Sequence, residues 1–150
     1  MIKVVFYGMN FNKLIPELSV SNIKNSLQYY RNILGFKIVY SRPKDKFYFL
    51  SYEGAQIMVE ETNNHWCTGE LEHPFGRGIN FQIEVSDVKL LLERLEGAKI
   101  TLFRPLKESW YRGDGVEYGQ VEFLVQDPDG YLLRFTQDIG ERKTSEDKQE

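Results

Sequence analysis

The chain has 150 residues, of which 41% are hydrophobic and 27% charged, and a formal net charge of −3. That length allows one domain, or two small halves sharing a core. With no Lys/Arg cluster a nucleic-acid footprint is not expected, and no apolar run approaches the length of a membrane span.

The single cysteine, Cys67, rules out an internal disulfide and fits a reducing compartment. Lys3, followed by Asn10, Asn12 and Lys13, does not make a signal peptide, so the expected location is cytoplasmic. Aromatic residues reach 14%, with 10 Phe, 9 Tyr and 2 Trp. Most of those rings belong in a core, and the surplus suggests a ring-lined pocket.

In chain order, residues 1–12 read as an N-terminal arm, strand-like from Lys3 to Tyr7. A first module over 13–62 opens with the alternation of Leu14, Pro16, Leu18 and Val20 against Ile15, Glu17 and Ser19, the period of a half-buried strand. Ser21 reads as a helix N-cap, with Ile23, Leu27, Tyr30 and Leu34 at helical spacing and Gly35 as the stop. Strands follow at Phe36–Tyr40, Phe47–Tyr52 and Ala55–Glu60, punctuated by Pro43 and Glu53-Gly54. Residues 63–77 form a connector too long for a hairpin.

The second module, 78–138, repeats the first. Ile79 to Val85 alternates, and Val20-Ser21-Asn22 is echoed by Val85-Ser86-Asp87. A helix with Val88, Leu91, Leu92 and Leu95 closes at Gly97, and Gly35-Phe36-Lys37-Ile38 is matched by Gly97-Ala98-Lys99-Ile100. A loop over Lys107–Gly119 leads into a hairpin whose turn is Asp127-Pro128-Asp129-Gly130, where Pro128 presets φ and Gly130 supplies a positive φ. Gly54 to Val59 lines up with Gly130 to Phe135. Such duplication is an architectural signal in itself. The tail, 139–150, is nearly all charged or polar from Glu141 onward and is expected to be disordered.

With these features the chain resembles the vicinal oxygen chelate superfamily, which includes glyoxalase, ring-cleaving dioxygenases, fosfomycin-modifying enzymes and bleomycin resistance proteins. The resemblance spans roughly residues 13–138. It is strongest to the glyoxalase/bleomycin resistance group, through Phe75-Gly76-Arg77-Gly78-Ile79-Asn80-Phe81, Trp110-Tyr111-Arg112 and the closing hairpin. It implies an α+β fold: two βαβββ modules forming a curved mixed-sheet cup, with helices on the outer face. It also implies a homodimer in which a cup combines modules of two chains.

In metal-using members four side chains converge in the cup, usually His or Gln on the two helix-preceding strands and Glu or His on the two closing strands. Those positions fall here on Ile15, Met58, Asn80 and Arg134. Isoleucine and methionine offer no hard donor and arginine is a fixed cation, so no metal and no other cofactor is expected.

Counting by twos, the cup face carries Glu17, Ser19, Gln56, Met58, Glu60, Asn80, Gln82, Glu84, Leu132, Arg134 and Thr136. The opposite face carries Leu18, Val20, Ile57, Val59, Phe81, Ile83, Val85, Leu133 and Phe135, which should pack under the helices. One sheet face exposed to water is ordinary. The functional alternative is a polar pocket built from Glu17, Met58, Glu60, Asn80, Gln82, Glu84 and Arg134, walled by Trp66, Trp110 and Tyr111. Arg134 would pair with Glu17 or Glu84, or hold an anionic group. The surplus of carboxylates favours a cationic or amide-rich ligand.

Elsewhere the chemistry is thin. His65 and His73 read as surface residues, Cys67 lacks a base, and Gly113-Asp114-Gly115 has no helix after it to cradle a phosphate. The expectation is a metal-independent, dimeric binding protein that sequesters a small molecule and has no catalytic residue. The alternatives are an enzyme of the same superfamily (a lyase, isomerase or dioxygenase) or an interaction module without a small ligand.

Overall fold

A computed structural model describes residues 10–144; the strand-like arm at Lys3–Tyr7 and the end of the tail lie outside the described residues. The first module is β1 (Glu17–Val20), α1 (Ile23–Leu27), β2 (Lys37–Arg42), β3 (Phe47–Tyr52) and β4 (Ala55–Glu61). Helix α1 continues as π-helical turns over Gln28–Leu34 and stops at Gly35 in the left-handed region. The second module is β5 (Asn80–Glu84), α2 (Val88–Gly97), β6 (Arg104–Arg112), β7 (Val116–Gln126) and β8 (Leu132–Lys143).

Each module forms its own four-stranded sheet, in the orders β1-β4-β3-β2 and β5-β8-β7-β6. The β1/β4 and β5/β8 pairs are parallel and the rest antiparallel. The alternation expected from sequence is the alternation of burial: Leu18, Val20, Ile57, Val59, Ile83, Val85, Leu133 and Phe135 are buried, while Phe81 is half-buried. These residues join Tyr30 and Leu34 of the first helix and Val88, Leu91 and Leu95 of α2 in a single core.

The two modules are tied together by a reciprocal clasp. Ser21, which heads the first helix, donates its backbone N–H to Asp129 Oδ2 in the β7–β8 turn at 3.1 Å. Its repeat counterpart Ser86 donates its N–H to Glu53 Oε2 in the β3–β4 turn at 2.8 Å. Glu53 and Asp129 each precede the matched turn glycines, Gly54 and Gly130. Each module's closing turn therefore satisfies an otherwise orphaned donor beside the other module's helix. Arg94 adds a third tie from α2, donating from Nη1 to Leu34 O at 2.9 Å.

The clasp explains one departure from expectation. Ser21 is not the cap; Asn22 is, accepting from Asn25 N at 3.1 Å. Asp87 does the same for α2, accepting from the N–H groups of Lys89 and Leu90. Asp87→Ala is expected to cost about 1 kcal/mol in urea unfolding.

Other boundaries also shift. Strand β1 starts at Glu17 rather than Leu14 because Pro16 has no N–H to give, although its carbonyl still accepts from Met58 N at 2.9 Å. Gly97 ends inside α2, and the left-handed residue beyond it is Lys99.

The largest correction concerns the expected loop at Lys107–Gly119 and the tail expected to be disordered from 139. Residues 107–112 and 116–119 are strand, joined by a tight turn in which Gly113 N donates to Val116 O at 2.8 Å. Strand β8 runs on to Lys143, opposite Val116. Arg142 holds this arm, with Nε 2.6 Å from Glu117 Oε2 and its guanidinium 4.0 Å over the Trp110 ring. Polar residues on both faces of the arm hide its strand period.

Candidate functional site

The outward faces of the two sheets carry the expected site residues, but they do so on separate sheets. On the first, Glu17 sits opposite Met58, and Ser19 opposite Glu60. Met58 is half-buried between β1 and Phe49 of β3. Glu60 accepts from Asn63 Nδ2 at 2.8 Å. Partial burial raises the Glu17 carboxyl above the usual carboxylate range, and the neighbouring Glu60 charge adds to the shift.

On the second sheet, Gln82 lies opposite Arg134 and Glu84 opposite Thr136, with Asn80 exposed at the start of β5. The sequence offered Glu17 or Glu84 as a partner for Arg134, or an anionic ligand group, and among the described residues neither carboxylate pairs with it. Arg134 donates from Nη2 to Gln82 Oε1 at 2.7 Å. Tyr111 stands opposite Tyr118 at the far end of this face, and both line a cavity of about 210 Å³ with Gln82, Glu84, Thr136 and Asp138.

Trp110 does not belong to this wall. Neighbours on a strand point to opposite faces, so Trp110 faces the helix side, where it lies over Gly119 and donates from Nε1 to Glu108 Oε1 at 2.9 Å. Trp66 is 64% exposed and stands edge-on to His65 at 4.5 Å. It lines a groove of about 830 Å³ beside β1, together with Leu14, Glu17, Phe75, Ile79 and Tyr131.

Among the described residues no hydrogen bond or ion pair joins the first-sheet set (Glu17, Met58, Glu60) to the second-sheet set (Asn80, Gln82, Glu84, Arg134). Among the described residues the outer edges of β1 and β5 are both left without a neighbouring strand. Within one chain these polar residues therefore stand on two sheets, while the groove beside β1 is lined from both modules.

Strand register relates the four positions at which the resemblance to metal-using members would place ligands. Glu17 pairs with Met58 as Gln82 pairs with Arg134, so Ile15 and Asn80 occupy matching places two residues earlier. An isoleucine, a thioether, an amide and a guanidinium do not fit a hard divalent ion. Among the described residues no three His, Cys, Asp or Glu side chains gather as a metal site. His65 and His73 are both exposed, and Cys67 has Thr62 Oγ1 at 3.7 Å.

Sequence reasoning assigned Asp127 and Asp129 to the turn alone, and so missed a buried polar cluster. Asp127 Oδ2 accepts from Tyr30 Oη at 2.7 Å, and Oδ1 accepts from the N–H groups of Asp129 and Tyr131, both at 2.9 Å. Burial pushes the Asp127 carboxyl up to about 6 despite these donors, which pull the other way. Tyr131 Oη in turn donates to Ser19 O at 2.9 Å. The sequence signal was available: two acids in an apolar hairpin, with a tyrosine on the helix of the other module.

The fold and these half-faces define a two-module α+β protein of the glyoxalase type. The chain belongs to the glyoxalase/bleomycin resistance protein/dioxygenase superfamily, whose family model matches residues 14–135. It is 28% identical over 130 residues to a lactoylglutathione lyase of Neisseria meningitidis, covering 80% of this chain and 86% of the relative. Its fold is similar to the crystal structure of TioX from Micromonospora sp. ML1, with a TM-score of 0.68 at 21% identity, covering 86% of this chain and 100% of that one. A glyoxalase/bleomycin resistance protein/dioxygenase from Alicyclobacillus acidocaldarius matches with a TM-score of 0.60 at 19% identity, covering 86% and 92%.

Proposed function

We propose that this protein is a metal-independent small-molecule binder that sequesters a drug or amphipathic metabolite in a cup formed between two copies of the chain. The observation that carries this reading is the split of the polar face. Two half-faces on separate sheets, each next to a β1 or β5 edge that has no neighbouring strand among the described residues, support a second chain as the element that brings them across one ligand. In the assembled cup Glu17, Met58, Glu60 and Trp66 come from one chain, and Asn80, Gln82, Glu84, Tyr111 and Arg134 from its partner. Binding needs only a preformed polar pocket with aromatic walls, and no step of bond making or breaking is assigned to any residue. A role in antibiotic resistance follows if the ligand is a drug, and an abundant cytoplasmic dimer would suit it.

The test is a tryptophan fluorescence titration with bleomycin-type drugs. A saturable change at micromolar drug is expected, lost in Trp66→Phe and kept in Trp110→Phe, because only Trp66 borders the site. Silence in both fluorescence and calorimetry removes the drug-binding version.

The lyase-type relative favours one other reading, a glyoxalase-like lyase or isomerase. It predicts a stoichiometric divalent ion in protein purified without chelator, whereas the binder reading predicts none by elemental analysis. Sedimentation at micromolar concentration is expected to give a dimer in either case.

A further inference from the structure

The outward face of the second sheet changes its charge from row to row along β8, from neutral through basic to mixed. Strand register places Gln82, Arg134, Leu124 and Arg104 in one row across four strands. The row toward the Asp127 turn holds Asn80, Leu132 and Gln126, which carry no charge. The row on the other side holds Glu84, Thr136, Glu122 and Lys107. Beyond it lies the cavity between the two tyrosines, with Glu84 and Asp138 in its lining.

Within that pattern Arg134 is uncompensated. Its hydrogen-bond partner, Gln82 Oε1, is a neutral acceptor that fixes the guanidinium fork without cancelling its charge. Among the described residues it forms no ion pair, and its Nε is out of water with no acceptor. Glu122, on the neighbouring row, is engaged by Gln120 Nε2 at 3.1 Å. Arg104 shares the row with Arg134, two strand spacings or roughly 10 Å away. Among the described residues its guanidinium carbon lies 5.6 Å from the centre of the Phe103 ring. An arginine that merely lays its stem along a sheet keeps its nitrogens in water. Arg134 instead has one nitrogen buried and unanswered and the fork clamped in place.

We infer that Arg134 is an oxoanion anchor and that the ligand of this site is a carboxylic acid. Its carboxylate lies on the free side of the Arg134 fork, and its body runs along β8 over Thr136 toward the cavity between Tyr111 and Tyr118. Planar two-point recognition of a carboxylate is what a guanidinium offers and a lysine does not. The inference rests on the small-molecule reading above and takes the acidic members of its amphipathic ligands, so a drug binds through Arg134 only where it carries an anionic group.

The test uses the full chain, labelled with 15N, and two probes sharing one ring system, 1-naphthoate and 1-naphthamide. Naphthoate is expected to bind about tenfold more tightly than the amide, the size of one charge-assisted hydrogen bond, and to move the Arg134 Nε–H resonance. R134Q should bring naphthoate down to the level of the amide and leave the amide unchanged. R134K, which keeps the charge but not the fork, should weaken naphthoate and still prefer it to the amide. It serves as the second variant if R134Q does not fold. Equal binding of acid and amide to the wild type, or undiminished naphthoate binding by R134Q, overturns the anion anchor and leaves the pocket standing. Failure of both probes at millimolar concentration overturns the anchor and counts against the pocket as well.

Discussion

Asp127→Ala is expected to lower the free energy of unfolding by about 3 to 5 kcal/mol, a large part of the roughly 5 to 15 kcal/mol that holds a domain of this size together. The buried carboxylate accepts three hydrogen bonds, from Tyr30 Oη, Asp129 N and Tyr131 N. Truncation strands all three donors where water cannot replace the lost partner. The effect should extend beyond the turn, because Tyr30 belongs to the first module's helix and lies 97 residues away in sequence. Urea unfolding read by far-UV dichroism is the measurement. A loss under about 1 kcal/mol, the size of one ordinary hydrogen bond, would mean that the cluster does not hold the modules together.

The same group sets a pH dependence whose sign is fixed by its direction of shift. Burial raises the Asp127 carboxyl in the folded chain to about 6, above its ordinary value of 3.8. Between those two values the folded state holds the proton more tightly than the unfolded state. This group's contribution is therefore most favourable below about pH 4 and declines as pH rises toward about 6, by up to roughly 3 kcal/mol. Asp127→Asn cannot titrate, so the difference in stability between wild type and Asp127→Asn should shrink over that window and then level off. A difference that stays constant from pH 4 to 7 would sink the assignment. Taking the difference also cancels the other carboxylates, including Glu61, which is shifted the opposite way by the Lys46 hydrogen bond and then by the Ile23 N–H.

Much of the architecture is legible because the chain states it twice. Alternation in Leu18–Val20, Ile57–Val59, Ile83–Val85 and Leu133–Phe135 assigns both strand and face, since burying one side of a sheet forces period two. The repeat then aligns Ile15 with Asn80 and Met58 with Arg134 from the sequence alone. The arm of β6, β7 and β8 is illegible for the same reason: Lys107, Glu108 and Arg112 bury little on either side, so no period survives. Missing the arm also misplaced Trp110, whose face follows from parity only once 107–112 is known to be strand. Nor can local pattern say that Asp127 reaches Tyr30, or that the two polar half-faces stand on separate sheets. Both are consequences of how the modules dock, and docking is specified by long-range contacts such as Ser21 with Asp129.

Gly130→Ala is expected to cost about 3 kcal/mol, and its repeat counterpart Gly54→Ala clearly less. Both glycines sit at positive φ, +95° and +88°, so both variants carry the strain of a left-handed alanine, about 1 to 2 kcal/mol. Their surroundings differ. A Cβ on Gly54 meets nothing within 4 Å, whereas one on Gly130 would lie 2.4 Å from Pro74 Cβ and 2.6 Å from Pro74 Cα. Those atoms cannot swing aside, because the connector is held there by the Phe75 N–H to Asp129 O bond at 2.8 Å and by the edge-to-face contact of Phe75 with Tyr131 at 5.9 Å. The excess of Gly130→Ala over Gly54→Ala thus measures how firmly the connector is seated on the turn. It carries a functional consequence too, since the same connector brings Trp66 to the groove beside Glu17. If the two variants unfold at the same urea concentration, the connector is not seated on the turn, and the groove wall it forms is not a fixed part of the site.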